Sequence, residues 1–200
     1  LIHLSTDYVF EGSKQGSYSE GDNVAPKSIY GKTKLDGETF VADSLTSHII
    51  IRTSWVFGKH GNNFVKTMLK LSNKKSLNIV DDQFGAPTYA RDIAKLIILL
   101  INRFDKEGFL DWGIYHFTGD VPTTWYGFAS DIFEKAKLHG LISHIPKLSP
   151  IPTSQYPTPA KRPLNSRLSL TKISNLFDLD NSWSKGLEHM LLQLKSSECE

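Results

Sequence analysis

The run His48-Ile49-Ile50-Ile51-Arg52-Thr53-Ser54 constrains the fold of this chain more than any other stretch. Its β-branched residues are continuous instead of alternating with polar ones, which is the pattern of a parallel strand covered on both faces. Such a strand needs helices around it, and the flanking sequence supplies them. Ser28 to about Leu45 is helix-compatible despite Gly31 and Gly37, with Ile29, Leu35, Phe40, Val41 and Leu45 as an apolar face. Asn63–Leu71 has helical spacing through Phe64, Met68 and Leu71, and Ala90–Phe104 is a strongly apolar helix. Thr124–Leu138 sets Trp125, Phe128, Ile132 and Phe133 at core spacing. Leu1–Leu4, Leu77–Val80 and Ile114–Phe117 read as further short strands. The stretch Pro146–Pro163 holds six prolines and reads as an ordered irregular segment. The chain ends as two helices, the second with Trp183, Leu187, Met190, Leu191 and Leu194 on one face. Strands alternating with helices predict an α/β fold built on a parallel sheet.

Composition narrows the partners. The 200 residues are 40% hydrophobic and 22% charged, enough for one or two domains with real cores. Lys and Arg number 23 against 21 Asp and Glu, with the signs mixed along the chain. That balance disfavours a nucleic-acid or membrane partner recognised by bulk charge. The single cysteine, Cys199, excludes a disulfide framework within one chain and suits a reducing cytoplasm, the expected location. The most apolar stretch, Ile93–Ile101, contains Lys95 and is short of the roughly 20 apolar residues that span a bilayer. The chain opens on Leu1-Ile2-His3-Leu4, already inside an apolar run and without Met, and so reads as a fragment whose upstream part is missing.

Several chemistries have no carrier here. There is no GxSxG elbow, no HExxH, no P-loop and no EF-hand loop. The seven histidines are scattered, none paired at metal-ligand spacing, and no GxGxxG follows a strand. What remains is Ser5-Thr6-Asp7-Tyr8 followed by Tyr30-Gly31-Lys32-Thr33-Lys34. On a helix, Tyr30 and Lys34 project from one face. A phenol with a pKa near 10 exchanges protons poorly at neutral pH, and an adjacent ammonium favours the phenolate and suits it to proton transfer. Thr6, at the end of the preceding strand, is placed to hold a carbonyl oxygen beside the phenol. The same spacing also fits a surface lysine beside a packed tyrosine, and the strand that follows at once weighs for the first reading.

With its upstream Ser/Thr, the Tyr30/Lys34 pair resembles the extended branch of the short-chain dehydrogenase/reductase superfamily. Within that branch the chain resembles the dTDP-4-dehydrorhamnose reductase family. The likeness rests on Ser5-Thr6-Asp7-Tyr8-Val9-Phe10, Tyr30-Gly31-Lys32-Thr33-Lys34-Leu35, Arg52-Thr53-Ser54-Trp55-Val56-Phe57-Gly58, Asn62-Asn63-Phe64-Val65 and Asp82-Gln83-Phe84-Gly85-Ala86-Pro87-Thr88. Tyr115-His116-Phe117, Tyr156-Pro157-Thr158-Pro159-Ala160 and Arg162-Pro163-Leu164-Asn165-Ser166 complete the series.

The resemblance implies a partial Rossmann-type doubly wound parallel sheet over residues 1–58 and 86–118. An interleaved smaller α/β substrate-binding domain would take residues 59–85 and 119–200. It implies reduction of the 4-keto group of dTDP-4-dehydro-L-rhamnose by NADPH, with NADH accepted by some members. Tyr30 would donate the proton, Lys34 would lower the phenol's pKa and bind the nicotinamide ribose, and Thr6 would polarise the keto oxygen. Asp7 and Trp55 match positions that touch the sugar, although a large aromatic after a buried strand also suits a core. Asn62, Asn63, Arg162 and Asn165 suit either contacts to the nucleotide diphosphate or helix caps and braces, Arg162 best fitting a diphosphate. Some members bind Mg²⁺ at a dimer contact. Asp92 falls at one such position without a matching carboxylate, so no metal is expected, and a homodimer is allowed. The Gly-rich cofactor loop is absent from this sequence, so the 200-residue piece alone is expected to be inactive. The same fold also resembles the non-catalytic regulatory subunit of methionine adenosyltransferase. The joint presence of Thr6, Tyr30, Lys34 and Trp55 favours the enzyme over that subunit, and over sugar epimerases and dehydratases of the superfamily.

Overall fold

In the computed structural model of the chain, residues 1–158 and 162–198 are described; the Pro159-Ala160 pair and Cys199 singled out above lie outside them. Strand β1 (Ile2–Thr6) leads into α1 (Ile29–Ser44), β2 (Ile49–Thr53), β3 (Val56–Phe57), α2 (Phe64–Leu71) and β4 (Ser76–Val80). Then come β5 (Phe84–Gly85), β6 (Thr88–Tyr89), α3 (Ala90–Glu107), β7 (Gly113–His116), β8 (Thr123–Thr124) and α4 (Trp125–Leu138). The last elements are β9 (Lys147–Ile151), α5 (Thr171–Ser174) and α6 (Trp183–Glu198). No helix among the described residues is long and apolar enough to cross a membrane.

The isoleucine run is the middle of a three-stranded parallel sheet ordered β1-β2-β7, with Ile2 opposite Ile49 and Arg52 opposite His116. Every residue of β2 is buried, as its lack of polar alternation requires. Side chains alternate across a strand, so Ile49 and Ile51 share one face, where they pack with Ile93, Leu96 and Leu100 of α3 and Tyr115 of β7. Arg52 lies on the other face and meets Glu38 of α1. A second core gathers Val65 and Met68 of α2, Ile132 and Phe133 of α4, and Leu187 and Leu191 of α6. Helices on both faces of a parallel sheet make this an α/β fold of Rossmann type.

Two local expectations need correction. The apolar face assigned to α1 is buried only in part: Val41 is buried and Leu35 packs against the cluster of Val9 and Phe10, while Ile29 is 82% exposed and Phe40 73%. Two further features dock it. A Cβ on Gly31 would fall 2.2 Å from the Tyr8 carbonyl oxygen, so glycine lets the helix backbone touch the turn after β1, and Glu38 anchors it to Arg52. Next, the proline-rich stretch contains a strand. β9 pairs in parallel with β4, placing Pro150 opposite Ile79, which an edge strand tolerates. Both expected C-terminal helices are present, the first as a single four-residue turn, α5. Around it Leu170, Ile173, Leu176 and Phe177 pack on the core of the three-stranded sheet, not on the second core.

His116 closes this sheet and is fully buried, with Nδ1 3.1 Å from the Tyr18 carbonyl oxygen. Burial, reinforced by the Arg52 guanidinium, pushes its imidazole down to about 3. The unfolded chain therefore takes up this proton first as pH falls. The stability contributed by a neutral His116 is complete above about pH 6.5 and is lost toward pH 3, by up to about 5 kcal/mol. Urea unfolding at neutral and acid pH is expected to show wild type losing more stability on acidification than His116→Asn. Equal losses would remove His116 from the acid response.

Candidate active site

The site begins where β1 ends. Thr6 is the last residue of the strand and caps the short 3-10 turn Asp7–Val9, its hydroxyl accepting the Tyr8 N–H at 3.3 Å. Ser28 caps α1 by accepting the Gly31 N–H at 3.0 Å, which puts Tyr30 in the first turn and Lys34 one turn later. The Lys34 ammonium donates to the Leu4 carbonyl at 2.5 Å, two residues before Thr6. The Tyr30 ring meets Tyr8 edge-on at 5.6 Å, two residues after Thr6. Tyr30 and Lys34 thus both reach residues that flank Thr6 near the carboxyl end of β1, where open α/β sheets present their ligands. Tyr30 is 55% exposed, so its ring is accessible to a ligand.

Asp7 is buried, and its Oδ1 accepts the Thr6 hydroxyl at 3.0 Å. Burial pushes its carboxyl up to about 6 against the opposing pull of the Ser166 and Thr6 hydroxyls. Oδ2 has no partner at regular hydrogen-bond geometry, although Ser166 lies close enough to exert that pull. The neighbouring Tyr8 phenol is raised by burial first and then by Asp7, with Arg162 opposing.

Tyr8 and Arg162 also line a cleft of about 470 Å³ with Trp55, Phe64, Trp125 and Tyr156. Trp55 stands at its wall in the left-handed region, at φ 48°, which is costly for a non-glycine residue and persists only where its surroundings hold it. Here they do. The indole stacks on Trp125 with centroids 3.6 Å apart, and a Cβ on Gly85 would come within 2.5 Å of the ring. Trp125 is fixed in turn: its indole N–H donates to Gln83 Oε1 at 3.1 Å, and Gln83 Nε2 donates to Thr153 at 3.0 Å.

Other candidates have structural employment. Asn63 caps α2 by accepting the Lys66 N–H at 3.2 Å, and donates to the Gly58 carbonyl at 2.7 Å. Asn165 donates to the carbonyls of Lys14 and Gly16 at 2.6 and 2.7 Å, bracing the loop after β1. Asn62 is exposed on a different cleft, with Lys59, His60 and Arg91. Asp92 is paired with Lys95 at 3.0 Å, and among the described residues no three His, Cys, Asp or Glu side chains gather to hold a metal.

The sequence reading missed a buried polar anchor. Glu38 receives Arg52 through Nε at 2.9 Å and Nη2 at 2.6 Å, and accepts the Ser5 hydroxyl as well. The signal was available: Glu38 follows Lys34 by four residues on the same helical stripe, and Arg52 is the one charge inside the isoleucine strand. Gln83 and Trp125 were also missed as a pair, since nothing local joins residues 42 apart.

The profile of the RmlD substrate binding domain matches residues 1–196. The chain is 45% identical over 192 residues to a dTDP-4-dehydrorhamnose reductase of Aggregatibacter actinomycetemcomitans, covering 95% of this chain and 65% of that protein. It is 42% identical over 200 residues to the enzyme of the same name from Escherichia coli K12, covering 97% and 65%. The crystal structure of dTDP-4-dehydrorhamnose reductase from Bacillus anthracis in complex with NADP superposes with a TM-score of 0.85 at 36% identity, covering 96% of this chain and 65% of that one. The chain thus spans about 65% of the length of the curated relatives it matches. A match over nearly all of its residues, with the same architecture, settles the membership: the chain belongs to the RmlD substrate binding domain family.

Proposed function

We propose that a full-length protein containing this chain reduces the 4-keto group of dTDP-4-dehydro-L-rhamnose with NADPH, NADH being the alternative reductant, to give dTDP-L-rhamnose. The observation that carries this reading is the contact of Lys34 with Leu4 and of Tyr30 with Tyr8, on either side of Thr6, with Tyr8 lining the aromatic cleft. Relatives named for this reaction, one of them with NADP bound, support it.

The nicotinamide would supply a hydride to C4 when bound. Tyr30 gives its phenolic proton to the oxygen, so the ketone becomes an alcohol and the phenolate is left to be reprotonated. Lys34, anchored on the Leu4 carbonyl, brings positive charge to that end of the sheet and holds the nicotinamide ribose. Thr6 directs a hydroxyl at the keto oxygen, Asp7 and Trp55 serve the sugar, and Arg162 takes the diphosphate with a fixed fork of donors. Residues 1–58 and 86–118 form the cofactor half, and residues 59–85 and 119–200 the substrate half. The segment around α5, packed on the sheet, braces the cofactor half. The proposed compartment is the cytoplasm, and the proposed assembly a homodimer.

The test is an assay of the full-length protein with dTDP-4-dehydrorhamnose, following cofactor oxidation and the disappearance of the ketone. Stoichiometric loss of both is expected. Cofactor oxidation without loss of the ketone, or no turnover, overturns the reading.

A further inference from the structure

Thr6 has one hydroxyl proton, and the fold has already committed it. Oγ1 donates to Asp7 Oδ1 at 3.0 Å and accepts the Tyr8 N–H at 3.3 Å. With its proton on the carboxylate, Thr6 can offer an incoming carbonyl oxygen only a lone pair, which does not polarise it. The acceptor is itself badly placed as an anion. Asp7 is 3% exposed, and Oδ2 lacks a partner at regular hydrogen-bond geometry.

We propose that Asp7 is a positioning residue that sets the direction of the Thr6 hydroxyl, releasing it toward the keto oxygen only when Asp7 itself holds a proton. The inference rests on the reductase reading above. The proton comes from solvent and resides on Oδ1. The neutral acid then donates its O–H to Thr6 Oγ1, which still accepts from Tyr8, and the Thr6 O–H turns to the substrate. Nothing is oxidised or reduced in this step, and the proton returns to solvent when Asp7 ionises.

The groups around the pair are few. The Ser166 hydroxyl approaches from the segment after Arg162 and, like Thr6, favours the anion. The Tyr8 phenol borders Asp7, and Tyr30 and Arg162 act on Tyr8 from beyond it. Burial outweighs these and leaves the carboxyl near 6, so the releasing form gains population as the medium becomes mildly acidic.

Two measurements decide the matter. In the full-length enzyme, kcat is expected to fall as pH rises through the Asp7 midpoint, approaching tenfold per pH unit above it. Asp7→Asn cannot ionise, so that inflection should vanish. A merely structural Asp7 would lower kcat at every pH and leave the inflection in place, which overturns the proposal, as does a flat wild-type profile. The second readout needs no turnover: the side-chain ¹³C shift of Asp7 followed against pH. The midpoint should rise in Thr6→Val, which removes a bond favouring the anion, and return in Thr6→Ser. A midpoint unmoved by Thr6→Val refutes the coupling. Absence of turnover in wild type would instead count against the reductase reading, with the titration still deciding the Thr6–Asp7 link.

Discussion

Tyr30→Phe in the full-length protein lowers kcat for the keto sugar by about 10²- to 10⁴-fold, the usual worth of a positioned proton donor. The substitution removes one oxygen and little else. The Tyr30 ring contacts Tyr8 edge-on at 5.6 Å, a contact that phenylalanine keeps, and with the residue 55% exposed almost no burial is lost. KM and unfolding stability should therefore stay near wild type while turnover collapses. Steady-state kinetics and a urea titration on the same preparation check this. Near-normal kcat would take Tyr30 out of the proton-donor role, and an equal loss in stability would mark it as structural.

Glu38→Ala should cost about 3–5 kcal/mol of folding stability, because it strands the Arg52 guanidinium in a dry site. The pair is 3–4% exposed at the side chains, with Arg52 Nε and Nη2 both bonded to the carboxylate and Ser5 donating to it too. Arg52 Nη1 already lacks a hydrogen-bond partner. Replacing both partners with apolar residues, as in Glu38→Leu with Arg52→Met, should recover much of the loss, since it is the unpaired charge that costs. Chemical denaturation of the single and double variants checks this. A single-variant loss below 1 kcal/mol would mean that α1 is held by other contacts. Turnover should fall with Glu38→Ala as well, since the same helix carries Tyr30 and Lys34.

The major helices and the three-stranded sheet were legible in the sequence because periodicity and β-branching are local signals. The isoleucine run announced a two-sided strand, and Ser28, Asn63 and Thr124 fall at helix starts where their side chains cap. The errors have a common cause. In α1 only Val41 and Leu35 of the apolar residues pack inward, and the helix docks as well through a glycine and an ion pair whose partner lies on β2. In β9 the prolines hid a strand, because its pairing with β4 is a long-range fact that composition does not carry. The site divides the same way. Thr6, Tyr30 and Lys34 follow from one motif and one helical spacing. The Thr6–Asp7 bond, the raised Asp7 carboxyl and the Gln83–Trp125–Trp55 stack depend on burial and on distant neighbours.

Pro150 has a consequence for how the molecule behaves in a crowd. The β4–β9 ladder runs through the Lys147 N–H and the Ile151 carbonyl, so by alternation the Pro150 nitrogen turns away from β4. A stray extended peptide trying to add there finds no N–H at that position and cannot zip past it. The imino acid that concealed the strand from a reader also keeps it from templating aggregates.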